Sequence, residues 1–300
     1  MTARVCCFCG RSEARRVRRH SREEILAEYK QMYRITFPAD VIRTSFAFDE
    51  LTAEACTTCG TWRFAPNVAG DGAFYEVLSR HLPWYYKANR WEFPIAADIL
   101  AREKTTRFLD VGCGDGHFID LARARGLEGH GCEVNPRSLD VLQARGIPAT
   151  ATLHDGLGRY DVVVMFQVLE HLVDPCSVLQ SLLGHVRDGG LLMFSTPVRP
   201  SCLSFAMPVL AMPPHHQWLP TVDGFRALAA RLDLACERIV CDPPDPSQVA
   251  YALQKRFGSF PYLGRVSRWT WKTARMLDAA WAAVGHTGLA VLRKREAGRS

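Results

Sequence analysis

The sequence predicts an α/β fold in which helices cover both faces of a parallel β-sheet. In residues 107–117, RFLDVGCGDGH, a short apolar strand runs into a glycine-rich turn and then into a helix. Strand and helix patterns alternate from there to residue 196, and such alternation produces a parallel sheet with helices on both faces. Paired cysteines near the N terminus add a small separate domain.

Length and composition agree with a soluble enzyme. The 300 residues, 48% of them hydrophobic, suffice for one large or two unequal domains. A net charge of +6 permits an anionic partner without requiring one. No apolar run reaches the roughly 20 residues of a membrane span, and no secretory pattern follows Met1. The 11 cysteines, an odd number, argue against a disulfide framework and for the reducing cytoplasm.

Two C-x-x-C pairs, each followed by a glycine that relieves a tight turn, predict a structural zinc site. The domain that carries them spans residues 1–66, and a helix over residues 22–33 fills the wide gap between the pairs. Four thiolates leave no open position for catalysis, and the alternative is a set of free buried cysteines. The predicted zinc ligands are Cys6, Cys9, Cys56 and Cys59.

Residues 11–22, RSEARRVRRHSR, carry six arginines between the two cysteine pairs. One interpretation is a solvated surface. The other is a patch that contacts phosphates, which would suit a nucleic acid or a nucleotide-linked sugar. Because no aromatic residue is interleaved with the arginines, the segment lacks the stacking groups of a single-stranded nucleic-acid platform.

Residues 67–104 connect the small domain to the sheet and are rich in aromatic side chains. With prolines as punctuation, this density predicts a helical cap over a pocket. The alternative is simple packing between the two domains. The first aromatic residues to mutate are Tyr85, Tyr86 and Trp91.

The alternating region yields a defined set of elements. Strands are predicted at 107–111, 129–133, 147–150, 160–166 and 190–196, and helices at 116–125, 136–145 and 174–186. Ligands bind beyond the carboxyl ends of the strands in sheets of this kind. The residues expected to face this crevice are Asp110, Glu133, Gln167, Glu170 and Pro197.

Two classes of cofactor use such an opening. A dinucleotide site requires G-x-G-x-x-G, whereas this turn reads G-x-G-x-G and has His117 in place of the third glycine. Glu133 ends the second strand, where an acid accepts the ribose hydroxyls of an adenosine in either class. The turn, and not the acid, therefore argues against a dinucleotide.

Several segments together resemble the successive motifs of class I S-adenosylmethionine-dependent methyltransferases. They are LDVGCGDGHF from Leu109, the acid Glu133, YDVVVMFQVLEHLVDP from Tyr160 and RDGGLLMFSTP from Arg187. The resemblance covers about residues 105–242 and the last strand. It implies a Rossmann-like, seven-stranded sheet whose final strand, residues 288–294, runs antiparallel, within a cofactor-binding domain of residues 105–300.

A narrower resemblance concerns a bacterial subgroup of these enzymes. The C-x-x-C pairs, YYKANRWEF from Tyr85 and PPHH from Pro213 resemble members with an N-terminal zinc-binding domain, to which sugar C-methyltransferases are related.

The class resemblance implies a set of S-adenosylmethionine contacts. Glycines of the turn would line the methionine portion, an acid would hold its amino group, a second acid would hold the ribose, and residues after the fourth strand would lie along the cofactor. In that order these are Gly112, Gly114 and Gly116, then Asp110, then Glu133, then Phe166 and Gln167. Asp155 is the nearest candidate for the adenine amine.

The activated methyl group requires an aligned nucleophile and, where needed, a base. His171, His215 and His216 are the candidate bases because imidazole titrates near neutral pH. His171 follows a strand end on the crevice side, and its alternative is a packing role. The other two lie in the apolar, proline-rich segment 197–220, where function is favoured over packing and metal binding is the lesser use.

One departure from related enzymes concerns a metal. Quinone O-methyltransferases with a similar motif can carry E-x-x-E-H, whose carboxylates and histidine bind a divalent ion. Here Gln167 takes the first position, followed by Glu170 and His171. Because the loss of one anionic ligand weakens a site for a hard cation, no active-site metal is predicted.

Residues 243–286 form an insertion before the final strand. Apolar residues between Val266 and Val284 recur at helical spacing, with basic residues on another face. The first interpretation is a lid helix. The alternative is an interfacial helix whose segment Trp269–Trp281 contacts a membrane surface, which would suit a lipid-linked acceptor.

Three functions follow for comparison. The predicted one is methyl transfer from S-adenosylmethionine to a small molecule, such as a sugar, natural-product or cell-envelope intermediate, at carbon or oxygen. A nucleic-acid methyltransferase that uses the zinc domain and the arginine-rich segment is the second. The third is a non-catalytic binding module, against which the intact glycines and Glu133 argue.

Overall fold

The computed structural model describes residues 5–83, 85, 88–201, 203, 207–243 and 285–296. Within these ranges the strands form one four-stranded and one seven-stranded sheet. The predicted lid or interfacial helix, together with Tyr86, lies outside the described residues. No helix in the described part is long and apolar enough to cross a membrane.

The N-terminal part combines three strands with two helices. In chain order these are β1 Ala14–Ser21, α1 Arg22–Tyr33, α2 Ala39–Ser45, β2 Glu50–Cys56 and β3 Trp62–Ala65. Helix α1 has the predicted bounds and starts with a capping box: Ser21 Oγ accepts from Glu24 N at 3.1 Å, and Ser21 N donates to the Glu24 carboxylate at 3.0 Å. The arginine-rich segment forms β1, an edge strand that pairs antiparallel with β2.

Two helices, α3 Gly72–His81 and α4 Glu92–Arg102, follow in the aromatic segment. They serve different cores. Phe74 and Leu78 of α3 pack with apolar residues of the N-terminal part, whereas Phe93 of α4 packs against Phe166 of the large sheet and Phe118 of the helix after its first strand. Much of the aromatic density is therefore used in packing.

The large sheet contains strands β4 to β8, β10 and β11. Their bounds are β4 Arg107–Val111, β5 Glu128–Cys132, β6 Ala149–Thr150, β7 Tyr160–Phe166, β8 Val186–Pro197, β10 Leu234–Cys241 and β11 Thr287–Lys294. The order is β10-β11-β8-β7-β4-β5-β6. Strands β4 to β8 pair in parallel, and β11 runs antiparallel to both of its neighbours. The predicted seven-stranded fold is confirmed.

Besides α4, four helices flank this sheet: α5 His117–Arg123, α6 Pro136–Ala144, α7 Pro175–Gly184 and α8 Val222–Arg231. Each of the last three begins at a side-chain cap, formed by Asn135, Asp174 and Thr221. One core lies between the sheet, α4 and α5, and the other between the sheet, α7 and α8. Helix α8 was not anticipated from the sequence.

A two-residue strand from the chain segment that follows β8 of the large sheet completes the small sheet. Strand β9, Trp218–Leu219, comes from the segment between β8 and α8 but pairs antiparallel with β3 of the four-stranded sheet. The Trp218 ring lies 6.1 Å from the Phe8 ring, centroid to centroid. The N-terminal part is therefore built partly from residues more than 150 positions away in the sequence.

Candidate functional site

The glycine-rich turn after β4 has a backbone that only glycine adopts easily. Gly112, Gly114 and Gly116 have φ angles of 72°, 54° and 82°. A Cβ at Gly112 would overlap the Val168 side chain, and one at Gly116 would lie 2.6 Å from Leu142 Cδ2. The turn thus brings its backbone to the carboxyl edge of the sheet without a Cβ atom at its three glycine positions.

Glu133 holds this turn against the end of β5. Its carboxylate accepts hydrogen bonds from Gly114 N at 2.8 Å and from Asn135 N at 2.9 Å. Each carboxylate oxygen retains a second lone pair. The geometry therefore leaves Glu133 able to accept two hydroxyl groups from a ribose in addition.

Asp110 lies on β4 beneath the turn and is 2% exposed. Burial, together with the Glu133 carboxylate, raises the pKa of Asp110 to about 8, although the Arg90 guanidinium opposes the shift. A buried carboxyl with so high a pKa is stabilised in its ionised form by a nearby cation. The amino group of a bound S-adenosylmethionine would be such a cation.

The other predicted cofactor contacts lie beyond the ends of β6 and β7. Asp155 is exposed, in a short 3-10 turn between these two strands. Phe166 is buried and packs against Phe93 and Phe118. Gln167 has a left-handed φ of 55°, and its amide donates to Ser195 Oγ at 3.1 Å.

Sequence reasoning missed the group that completes this network. The buried Glu92 carboxylate, at the start of α4, accepts a hydrogen bond from Ser195 Oγ at 3.0 Å. Glu92 is the one acidic residue of the YYKANRWEF segment, whose aromatic residues alone were predicted to matter. Among those, Trp91 donates its indole N–H to Thr287 Oγ1 at 2.6 Å and so ties α4 to β11.

The three predicted histidines form one cluster. The centroid of the His171 ring lies 4.7 Å from that of the His215 ring and 4.9 Å from that of the His216 ring. The His215 and His216 rings are stacked, with their centroids 4.2 Å apart. Gln217 N donates to the Glu170 carbonyl at 2.6 Å. This hydrogen bond fastens residues 213–217, the histidine loop, to the turn after β7. The sequence identified each residue but not their contact.

Hydrogen bonds fix two of the imidazole tautomers. His171 Nδ1 lies 2.7 Å from the His215 carbonyl, and His215 Nδ1 lies 2.6 Å from the Leu210 carbonyl. Because a carbonyl only accepts, both Nδ1 atoms carry the proton and both Nε2 atoms keep a lone pair. The Tyr85 hydroxyl donates to His215 Nε2 at 2.8 Å, and the Tyr75 hydroxyl lies 3.2 Å from His171 Nδ1.

Burial keeps these histidines neutral. It lowers the pKa of His171 to about 4, and it holds the pKa of His215 and of His216 well below the usual value, with neighbouring histidines adding to the effect. Burial also raises the pKa of the adjacent Glu170 to about 8. The cluster therefore presents neutral imidazoles and disfavours their protonation to imidazolium.

The four predicted zinc ligands also lie together. Cys6 Sγ is 3.7 Å from Cys59 Sγ, Cys9 Sγ is 3.4 Å from Cys56 Sγ, and all four sulfur atoms lie within 4.8 Å of one another. Tetrahedral Zn–S bonds of about 2.3 Å place sulfur atoms about 3.8 Å apart. The donor set therefore fits a structural zinc ion.

Residues at the two ends of α8 hold both cysteine turns in place. The Thr221 hydroxyl donates to the Cys59 carbonyl at 2.5 Å, and the Arg231 guanidinium donates to the Cys7 carbonyl at 2.6 Å. Cys7 lies outside the group of four and is buried against α7 and α8.

The order and direction of the strands, with a glycine turn after the first parallel strand and a reversed last strand, define the class I S-adenosylmethionine-dependent methyltransferase fold. A family model described as a methyltransferase domain matches residues 84–256, more than half of the chain. The chain belongs to this methyltransferase family.

Known proteins agree with this assignment. Ubiquinone biosynthesis O-methyltransferases of Bordetella avium and Nitrosomonas europaea are 31% and 35% identical over 129 and 105 residues, which cover 39% and 31% of this chain and 52% and 44% of theirs. The chain thus spans about half the length of the curated relatives it matches. The plantazolicin methyltransferase BpumL, solved with SAH, shares the fold, with a TM-score of 0.50 over 75% of this chain and 91% of its own at 14% identity.

Proposed function

We propose that this protein transfers a methyl group from S-adenosylmethionine to a small-molecule acceptor. The observation that carries the proposal is the joint geometry of the glycine turn, the Glu133 carboxylate bound to Gly114 N, and the buried Asp110 below them. A close approach of the backbone, a hydroxyl acceptor and a buried carboxyl that an ammonium group would ionise are the features that a methionine–ribose ligand requires at this edge of the sheet.

In this scheme each residue has a defined task. Asp110 neutralises the amino group of the cofactor, Glu133 orients the ribose hydroxyls, and the three turn glycines admit the methionine portion. Gln167, held by Ser195, faces the carboxyl edge beside the cofactor, and Asp155 is placed at the adenine end. The bound S-adenosylmethionine supplies an activated methyl group, so the protein's remaining task is to align the acceptor.

The histidine cluster is proposed as the acceptor side. His171 is partly exposed, and its Nε2 keeps a lone pair directed away from the His215 carbonyl that its Nδ1 binds. The buried His215 and His216 fix it from behind. An acceptor hydroxyl that donates to His171 would be oriented for in-line attack on the methyl group.

The acceptor class follows from chemistry and from the relatives. Unprotonated imidazoles beside the buried Glu92–Ser195–Gln167 network suit a hydroxyl-bearing molecule. The named O-methyltransferase relatives favour oxygen over carbon as the site of transfer. Sugars and natural-product or cell-envelope intermediates in the cytoplasm are the acceptors that we propose, with the N-terminal part as a structural zinc domain.

The test is a screen of candidate acceptors with methyl-labelled S-adenosylmethionine, followed by mapping of the labelled position. The expected product carries the label on oxygen of a small molecule. Failure of the protein to bind S-adenosylmethionine at all would contradict the proposal and revive a non-catalytic binding role.

A nucleic-acid acceptor is the second candidate, favoured by the exposed arginines Arg15, Arg16, Arg18 and Arg19 on edge strand β1. Such binding weakens steeply with salt because each phosphate contact releases counterions. RNA binding whose logarithm falls by several units per tenfold rise in salt would support it. Binding independent of salt, or none, would eliminate it.

A further inference from the structure

The histidine cluster contains more ligand-type atoms than alignment of an acceptor needs. One ring nitrogen from each of His171, His215 and His216 lies within 4.8 Å of the other two. Glu170 Oε1 lies 3.9 Å from His216 Nε2. We propose that these four residues form a second metal site, which binds a divalent transition-metal ion such as zinc.

The orientation of the imidazoles suits this use. Histidines that bind metals commonly donate the N–H of the other ring nitrogen to a backbone carbonyl, which fixes the tautomer. His171 and His215 both show this arrangement, through the carbonyls of His215 and Leu210. Their Nε2 atoms are consequently unprotonated, as a metal ligand must be.

Unsatisfied polar atoms give a second, independent reason. Glu170 is 1% exposed, and within the described residues neither of its carboxylate oxygens makes a hydrogen bond of good geometry, although the Thr196 side chain lies near it. His216 Nδ1, also buried, has none there either. Buried polar groups without partners cost free energy, and a cation beside the carboxylate would satisfy it directly.

The distances require only a modest adjustment. Tetrahedral Zn–N bonds of about 2.05 Å place ligand nitrogens about 3.3 Å apart, so two nitrogens at the 4.8 Å limit would have to approach each other by about 1.5 Å through side-chain rotation. The Tyr85 hydroxyl, now 2.8 Å from His215 Nε2, would give up that position to the ion.

The donor types select the class of metal. Three imidazoles and one carboxylate favour zinc, cobalt, nickel or iron over magnesium, which prefers oxygen ligands. The site therefore differs from a carboxylate-rich E-x-x-E-H site: two of its three histidines come from the loop before β9, and Gln167 contributes no anionic ligand.

A bound ion of this kind lowers the pKa of a hydroxyl that coordinates it. In the proposed function the acceptor hydroxyl would be a fifth ligand of the ion, in place of its hydrogen bond to His171, and the neutral histidines would act by holding the ion. This role rests on the proposed function, whereas the binding of the ion does not.

The test is the number of metal ions per full-length chain. Metal-free protein is titrated with Co²⁺, whose thiolate complexes show an intense near-ultraviolet charge-transfer band that nitrogen and oxygen ligands do not produce. Wild-type protein is expected to bind two ions, one with the thiolate band and one without it. His216→Gln and His171→Gln are expected to keep the thiolate ion and to weaken the other at least about a hundredfold.

The control variant is His81→Ala, at an exposed histidine of α3, which is expected to bind both ions as the wild type does. Circular dichroism confirms that the variants fold. Absence from the wild type of an ion without the thiolate band, or binding of that ion with unchanged affinity in both histidine variants, would overturn the inference. If the wild type binds only the thiolate-held ion and still transfers methyl groups, the second site is refuted and the proposed function stands.

Discussion

At Gly112 the left-handed backbone and the neighbouring Val168 side chain act together against any Cβ. We expect Gly112→Ala to lower the free energy of unfolding by about 2–4 kcal/mol, because backbone strain and steric overlap add. Cofactor binding should be lost with it. Urea denaturation and calorimetric titration with S-adenosylmethionine measure the two effects.

Gly126 supplies a matched control. Its φ is 79°, but no described atom lies within 4 Å of the position of a Cβ. Gly126→Ala should therefore cost only the backbone strain, about 1–2 kcal/mol, and leave cofactor affinity unchanged. Equal losses in the two variants would show that overlap with Val168 is unimportant.

Glu133 accepts two backbone N–H groups, and a glutamine there would have to turn an NH₂ donor toward one of them. Glu133→Gln should thus weaken S-adenosylmethionine binding at least tenfold by disturbing both the turn and the ribose contacts. The control Glu128→Gln, at the exposed start of β5, should bind normally. Unchanged affinity in Glu133→Gln would refute the ribose assignment.

Asp110 makes stability depend on pH. Its raised pKa of about 8 means that the folded protein holds a proton that the unfolded chain has already released above about pH 4. Stability therefore falls as pH rises, by up to about 1.4 kcal/mol per pH unit, until the folded pKa is passed. We expect the unfolding free energy of the wild type minus that of Asp110→Asn to decline from pH 5 to pH 8 and then level off.

Urea denaturation of both proteins without cofactor across this pH range measures the difference, since titrations common to both cancel. Parallel stability curves for wild type and Asp110→Asn would contradict the assignment of this proton to Asp110.

Among the elements, strands β4, β7 and β8 and the helices between the parallel strands were predictable from the sequence because each carries its own apolar pattern. Strand β4 and strand β7 have the predicted bounds, and the reversed strand β11 begins one residue earlier than expected. Strand β1 was missed because arginines occupy half of its eight positions, so its pattern is that of a polar loop. Strand β9 is too short to have a pattern, and only its distant partner β3 makes it a strand.

The candidate site shows the same division. The glycine turn, Glu133 and the cysteine pairs are local motifs that the sequence displays directly. The contact between His171 and His215 depends instead on long-range hydrogen bonds, such as that between Gln217 N and the Glu170 carbonyl. Separate histidines could be suspected from sequence, but a cluster could not.

The two cysteine turns make a prediction at the scale of elements. Metal analysis of protein purified under reducing conditions should show one zinc ion bound by thiolates per chain. Cys56→Ser should lose it, since three thiolates hold zinc less tightly than four. Cys236→Ser, at an exposed cysteine of β10, should retain it. Absence of thiolate-bound zinc from the wild type would leave four free cysteines.

For the molecule as a whole, the cysteine turns and the histidine loop share one support. Strand β9 starts two residues after His216 and pairs with β3, while Thr221 and Arg231 bind the cysteine turns. Loosening the cysteine turns should therefore loosen the histidine loop. Hydrogen–deuterium exchange of Cys56→Ser should increase in residues 213–221 but not in β4.

Cys236→Ser serves again as the control and should exchange as the wild type does. Uniform exchange increases across Cys56→Ser would indicate global destabilisation, and no increase in residues 213–221 would show that the two sites are independent.

The pairing of β9 with β3 also bears on how such a chain can be inherited. A chimera that exchanged only the N-terminal part at residue 66 would bring a foreign β3 to β9 and a foreign partner to Trp218. The sheet that carries the glycine turn would be untouched, because β4 to β8 make no pairing with β3. Recombination at residue 66 would thus preserve the sheet that carries the glycine turn while disrupting the surroundings of the histidine cluster, so segments 5–66 and 207–232 are expected to be exchanged as one unit.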